Sequence, residues 1–214
     1  MLLNLLFQGQ IALFLLIVLA LVISLSFREF GHALTAKLFG DDTAQRAGRL
    51  TLNPLAHIDP MGLLMVMLVG FGYAKPVPTN PMNFRSRWAD LWVSAAGPGM
   101  NLLLAFLVIN VYVLGLRAGV DALANPGPRF FFDFLAKINL LLMVFNLIPL
   151  GALDGHYILP YFLNRRMANA YRMFNAQYGN MALMLLILLS VVGVPVFNIV
   201  WSIGNFILPL IRVV

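Results

Sequence analysis

Charge-free stretches divide this chain into its elements. Residues 1–27, 91–116 and 173–211 contain no Asp, Glu, Lys or Arg, and neither do 60–74 and 138–153. A helix needs about 20 mostly apolar residues to cross the hydrocarbon core of a bilayer. QIALFLLIVLALVISLSF predicts one span and LWVSAAGPGMNLLLAFLVINVYVLGL a second. FFFDFLAKINLLLMVFNLIPL predicts a third, with Asp133 and Lys137 on its early turns. Met173 to Ile211 has room for a tilted span and more, interrupted by Gly193 and Pro195. MGLLMVMLVGFGY (61–73) is too short for an ordinary span and predicts a re-entrant or interfacial hairpin. The expected fold is an all-α integral membrane protein, a polytopic bundle of four to six transmembrane helices.

Composition agrees. The chain is 61% hydrophobic and 10% charged over 214 residues, against about 45–50% and about 25% in soluble domains. That excludes a water-soluble enzyme. With no cysteine, disulfide scaffolds, thiolate metal sites and cysteine nucleophiles are excluded too. The start MLLNLLFQGQ lacks the basic region and the cleavage site of a signal peptide, so the first span is expected to stay. The net charge of +6 reads as topology-setting charge and headgroup contact, not nucleic-acid binding. Ten basic residues fall in 28–90 and 155–172, against four elsewhere. By the positive-inside rule this puts those two segments in the cytoplasm and the N-terminus outside. Without repeats or long linkers, residues 1–214 read as a single membrane domain.

Ionisable groups at membrane depth are expensive, which makes them functional candidates. The first span runs into Arg28, Glu29 and His32, and helical spacing puts Arg28 and His32 on one face. Asn101 lies in VSAAGPGMNLL, whose small residues allow another helix to approach closely. Asn146 and Asp154 flank a break carrying Pro149 and Gly151. Such a break is tolerated only inside protein or beside a polar cavity. His57, in NPLAHIDP, and His156, after LDG, read as capping or interfacial histidines.

These segments resemble the site-2 protease family of intramembrane zinc metallopeptidases. That family carries H-E-x-x-H at the end of a transmembrane helix and N-x-x-P-x-x-x-L-D-G on a later one. The second motif is intact here as Asn146, Pro149, Leu153, Asp154 and Gly155. GRLTLNPLAHIDPMG (48–62), GYAKPVPTNPMNF (72–84) and AAGPGMN (95–101) resemble the short, compact bacterial branch. The likeness covers about residues 20–160.

The resemblance implies zinc held by His32 and Asp154, Glu29 as general base on a metal-bound water, and Asn146 holding substrate or oxyanion. It further implies transmembrane protein substrates, and a bacterial cell membrane with the site near its cytoplasmic side. One position departs from the family: Arg28 stands where its first zinc-binding histidine would be. A guanidinium offers no lone pair. Two readings follow. One is a zinc-dependent intramembrane protease with a third ligand from elsewhere, His57 being the obvious substitute. The other is a pseudoprotease that captures membrane helices without cutting, in which Arg28 pairs with Asp154, or with Glu29 and Asp154 together, where relatives hold metal.

Overall fold

The computed structural model describes residues 2–69, 72, 74–195 and 197–213. Ten α-helices lie among them: α1 Leu3–Phe7, α2 Ile11–Leu38, α3 Thr43–Arg46, α4 Pro60–Val69, α5 Ala89–Arg117, α6 Pro126–Asn146, α7 Asp154–Ile158, α8 Arg165–Phe174, α9 Asn180–Val191 and α10 Asn198–Ile211. No strand is present among these residues, in keeping with the all-α membrane class.

Three helices are long and apolar enough to cross a bilayer: Ile11–Leu38, Ala89–Arg117 and Arg165–Val191. The last joins α8 to α9 through a π-helical turn, Asn175–Gly179. The stretch expected as the third span forms the 21-residue helix α6, which is not one of these three. Its early turns carry a Lys137–Asp133 ion pair of 2.7 Å, one helical turn apart, which offsets the charge of both groups.

The structure fills in the order of elements in two places. Residues 155–172, placed by their charge alone, are largely helical. They hold α7 and most of α8, because Asn164 caps the new helix by accepting from Met167 N at 2.9 Å. The apolar stretch from Met173 to Ile211 is cut in two after Val191, where Gly193 turns at φ 102° and Pro195 follows.

The predicted hairpin at 61–73 is an out-and-back excursion. Helix α4 leaves the chain after His57, and Lys75 N returns to bond His57 O at 2.9 Å. The excursion lies against Leu21, Val22 and Leu25 of α2. Gly70, Phe71 and Tyr73 of this stretch fall outside the described residues.

The core forms where α5 packs between α2 and α6, with α10 closing on α6. Small residues bring α2 and α5 together: Ala33, Ala36 and Ala89 are fully buried, and a Cβ on Gly31 would overlap the Met100 side chain. A polar knot ties the three helices. Asn101 Nδ2 donates to Asn139 Oδ1 at 2.7 Å and to Ser24 O at 3.2 Å, and Asn139 Nδ2 donates to Ser24 Oγ at 2.9 Å. All three side chains are fully buried. In an apolar surround amide donors need partners, and here those of Asn101 and Asn139 find them across the helices, while Asn101 Oδ1 is left without one among the described residues. Asn101 is thus an interhelical tie.

A second anchor lies just past α2. Asp41, fully buried, accepts from Thr43 N, Thr43 Oγ1, Asn80 N and Asn83 Nδ2. Burial pushes its carboxyl pKa upward, but these donors outweigh burial and hold it at about 2. The stretch from Asn80 to Asn83 is thereby pinned to the end of α2.

Candidate functional site

Arg28, Glu29 and His32 share one stretch of α2, and Asp154 opens α7 across the bundle. Local chemistry explains how Asp154 arrives there. Helix α6 ends at Asn146, Pro149 prevents its continuation, and Gly151 turns back at φ 62°. Asn175, at the π turn, grips that corner from both sides: it accepts from Gly151 N at 2.8 Å and donates to Gly151 O at 2.9 Å. Tyr171 donates to Pro149 O at 2.9 Å. A Cβ on Gly155 would run into the Leu147 and Ile148 carbonyls. The glycine of L-D-G therefore lets α7 start hard against the end of α6, with Asp154 facing α2.

At the centre is an arginine clamp. Arg28 Nη2 donates to both carboxylate oxygens of Asp154 at 2.7 Å, and Nε reaches Oδ2 at 3.1 Å. Nη1 donates to Glu29 Oε1. Glu29 and Asp154 are 3% and 6% exposed. A bidentate guanidinium is the strongest partner a carboxylate can have from a side chain, and it is the cation that lets two acids remain buried together.

His32 completes the cluster. Its Nδ1 lies 2.8 Å from Val93 O, and Nε2 lies 3.5 Å from Asp154 Oδ1. A carbonyl only accepts, so Nδ1 carries a proton and Nε2 faces Asp154. A metal-binding histidine is held in the same way, one nitrogen on a carbonyl and the other turned to the site. Gly97 makes room for it, since a Cβ there would overlap the His32 ring and touch Arg28 Cγ.

The sequence thus brings Glu29, His32 and Asp154 together, with Arg28 among them. Asn146 is buried nearby along the chain, but its amide donates to Leu142 O of its own helix at 2.8 Å. His57 is held elsewhere. It is fully buried, with Nε2 2.7 Å from Thr51 O. Three contributors escaped the sequence reading. Gly97 lay in a stretch already marked by its small residues, whereas the Val93 carbonyl and the Asn175 side chain carry no sequence signal at all.

The geometry bears on zinc. An open catalytic zinc site takes three protein ligands and keeps a fourth position for water. Here His32 Nε2 and Asp154 are two, Asp154 is occupied by Arg28, and no group of three His, Cys, Asp or Glu side chains suited to a metal occurs among the described residues. A guanidinium in that place adds repulsion to the missing ligand. Arranged in this way, the residues do not fit a zinc ion.

Comparison with known proteins places the chain. The pattern of Peptidase family M50 matches residues 16–120 and 111–190. The chain is similar to "Putative zinc metalloprotease YwhC" of Bacillus subtilis (strain 168), 44% identical over 146 residues that make up 67% of each protein. It is 33% identical over 168 residues to "Putative zinc metalloprotease Rip2" of Mycolicibacterium smegmatis, covering 73% of this chain and 60% of that protein. Rip2 of Mycobacterium tuberculosis (strain ATCC 25618 / H37Rv) is 34% identical over 148 residues, 55% of its length. No solved structure matches. With the family pattern laid over nearly all of the membrane helices, this chain belongs to peptidase family M50, the site-2 protease family, and is an integral membrane protein of its bacterial type.

Proposed function

We propose that this protein handles transmembrane segments of other membrane proteins, the substrate class its family implies, and that Arg28 stands in for the catalytic cation so that segments are bound without being cut. One observation carries the reading: the bidentate Arg28–Asp154 pair, extended to Glu29. The guanidinium neutralises the two acids that would otherwise serve as metal ligand and general base. It bridges them and leaves the His32 imidazole set against Asp154.

A second reading, zinc-dependent cleavage, is favoured by a different observation. His32 is already oriented through Val93 O as a ligand would be, and relatives bear the name zinc metalloprotease. In that reading Arg28 leaves Asp154, zinc joins His32 and Asp154 with a third ligand, Glu29 acts as base, and Asn146 holds the substrate.

Purified protein separates the two. In the capture reading the chain carries well under about 0.1 zinc per molecule, cross-links to a transmembrane peptide bearing a photoreactive residue, and leaves that peptide intact. Zinc near one per chain, with cleavage abolished by Glu29→Gln, would establish the peptidase instead.

The charge distribution supports an N-terminus outside and the 28–90 and 155–172 segments in the cytoplasm, with the Arg28 cluster towards that side. The chain has no native cysteine, so a single Arg166→Cys gives a clean label. Modification from the cytoplasmic face is expected, and labelling from outside alone would reverse the orientation.

A further inference from the structure

Where α5 and the long helix α8–α9 begin, they frame an open cleft of about 570 Å³ whose lining includes Arg87, Trp88, Tyr161, Arg165, Asn169 and Arg172. Helices Ala89–Arg117 and Arg165–Val191 are both of membrane-spanning length and composition. Their shared starting level is therefore where hydrocarbon gives way to headgroups, the depth at which tryptophan, tyrosine and arginine settle.

The cleft is built from cationic groups without close counter-ions. Arg165, Asn169 and Arg172 follow at helical spacing and share one face of α8. Among the described residues no carboxylate comes within 4.0 Å of the Arg87, Arg165 or Arg172 guanidinium. Asp90 acts on Arg172 only at longer range. The aromatic wall is ordered: the Trp88 and Tyr161 rings lie 5.4 Å apart, the Arg87 guanidinium sits 5.3 Å over Trp88, and Tyr161 donates to Arg87 O at 3.0 Å. Beside this polar floor, Phe162 and Met173 are 75% and 73% exposed. Apolar side chains at that depth face acyl chains.

We infer that the cleft binds the phosphate of an anionic phospholipid headgroup, with the three arginines on the phosphate oxygens and Trp88 and Tyr161 beneath the glycerol region. Arginine forks match phosphate oxygens in geometry as well as charge. Free phosphate offers the same chemistry, but the cleft's level in the bilayer and its exposed apolar margin favour the lipid. The site is separate from the Arg28 cluster, and its occupancy does not depend on whether the protein cuts its substrates.

The test is native mass spectrometry of the full chain released from detergent, titrated with phosphatidylglycerol, phosphatidylcholine or inorganic phosphate. One phosphatidylglycerol per chain is expected to be retained, well ahead of phosphatidylcholine. Each arginine lost should weaken retention about fivefold, so Arg87→Gln with Arg165→Gln should lose about 25-fold. Arg87→Lys with Arg165→Lys keeps the charge and should keep most of the binding, which covers the case in which the Gln pair does not fold. Equal retention by the parent and a folded Gln pair, or a collapse of binding in a folded Lys pair as deep as in the Gln pair, overturns the site. Phosphatidylglycerol held no better than phosphatidylcholine, or than inorganic phosphate at the same concentration, overturns the lipid assignment.

Discussion

Arg28→His should convert this chain into a zinc protein in one substitution. The new imidazole falls on the same helix face as His32, one turn away, and opposite Asp154. Removing the guanidinium frees both Asp154 oxygens and Glu29 at once, since all three of its nitrogens are engaged with those two acids. Two imidazoles and a carboxylate with an open position form a zinc set, and His32 is already oriented for it by Val93 O. Elemental analysis of protein grown with zinc should give about one zinc per variant chain against less than about a tenth in the parent. Occupancy in the variant should fall when Asp154→Ala is added. A variant that stays zinc-free while folding normally would show that Arg28 is not what keeps the metal out.

The second large effect concerns stability. Arg28→Leu strips the cation from two acids that are 3% and 6% exposed, and breaking such a buried pair costs about 3–5 kcal/mol. The cost is not the strength of one contact. It comes mainly from leaving like charges buried with no partner. Removing charge from the other side should therefore restore much of it: Arg28→Leu with Asp154→Asn is expected to unfold at milder loss than the sum of the single variants, with a coupling of about 2–3 kcal/mol. Denaturant unfolding in mixed micelles measures both. Additive losses would mean that the clamp contributes nothing to holding α7 against α2.

Two features of the fold show how far the linear order of residues reaches. The spans centred on Leu16 and Leu103 are legible because the length of a charge-free run is a local property, and lipid tolerates nothing else at that depth. The corner at Pro149 and Gly151 is legible for a similar reason: a missing donor and a positive φ are properties of single residues. The helices within 155–172 were not legible, because charge reports which side of the membrane a segment faces and says nothing of whether it is helical. There Asn164 capping Met167 N decided for helix α8. The excursion at 60–75 was expected from its shortness, while its closure by Lys75 on His57 O needed the fold.

The site divides in the same way. Residue identity along the chain was enough to mark Glu29, His32 and Asp154, to assign the family's motifs, and to set Arg28 in conflict with a metal, since a guanidinium has no lone pair wherever it sits. Which partner Arg28 takes is a matter of distance between α2 and α7, elements 126 positions apart at the contact. That distance is set by the approach of α2 to α5 over Gly31 and Gly97, and by Gly155 letting α7 start against the end of α6. Closure of the bundle also brought Arg87 beside Arg165 and Arg172, whereas Asn146 and His57 took partners close by along the chain, Leu142 O and Thr51 O. Side-chain chemistry is local, but its partners are chosen by helices that meet only when the bundle closes.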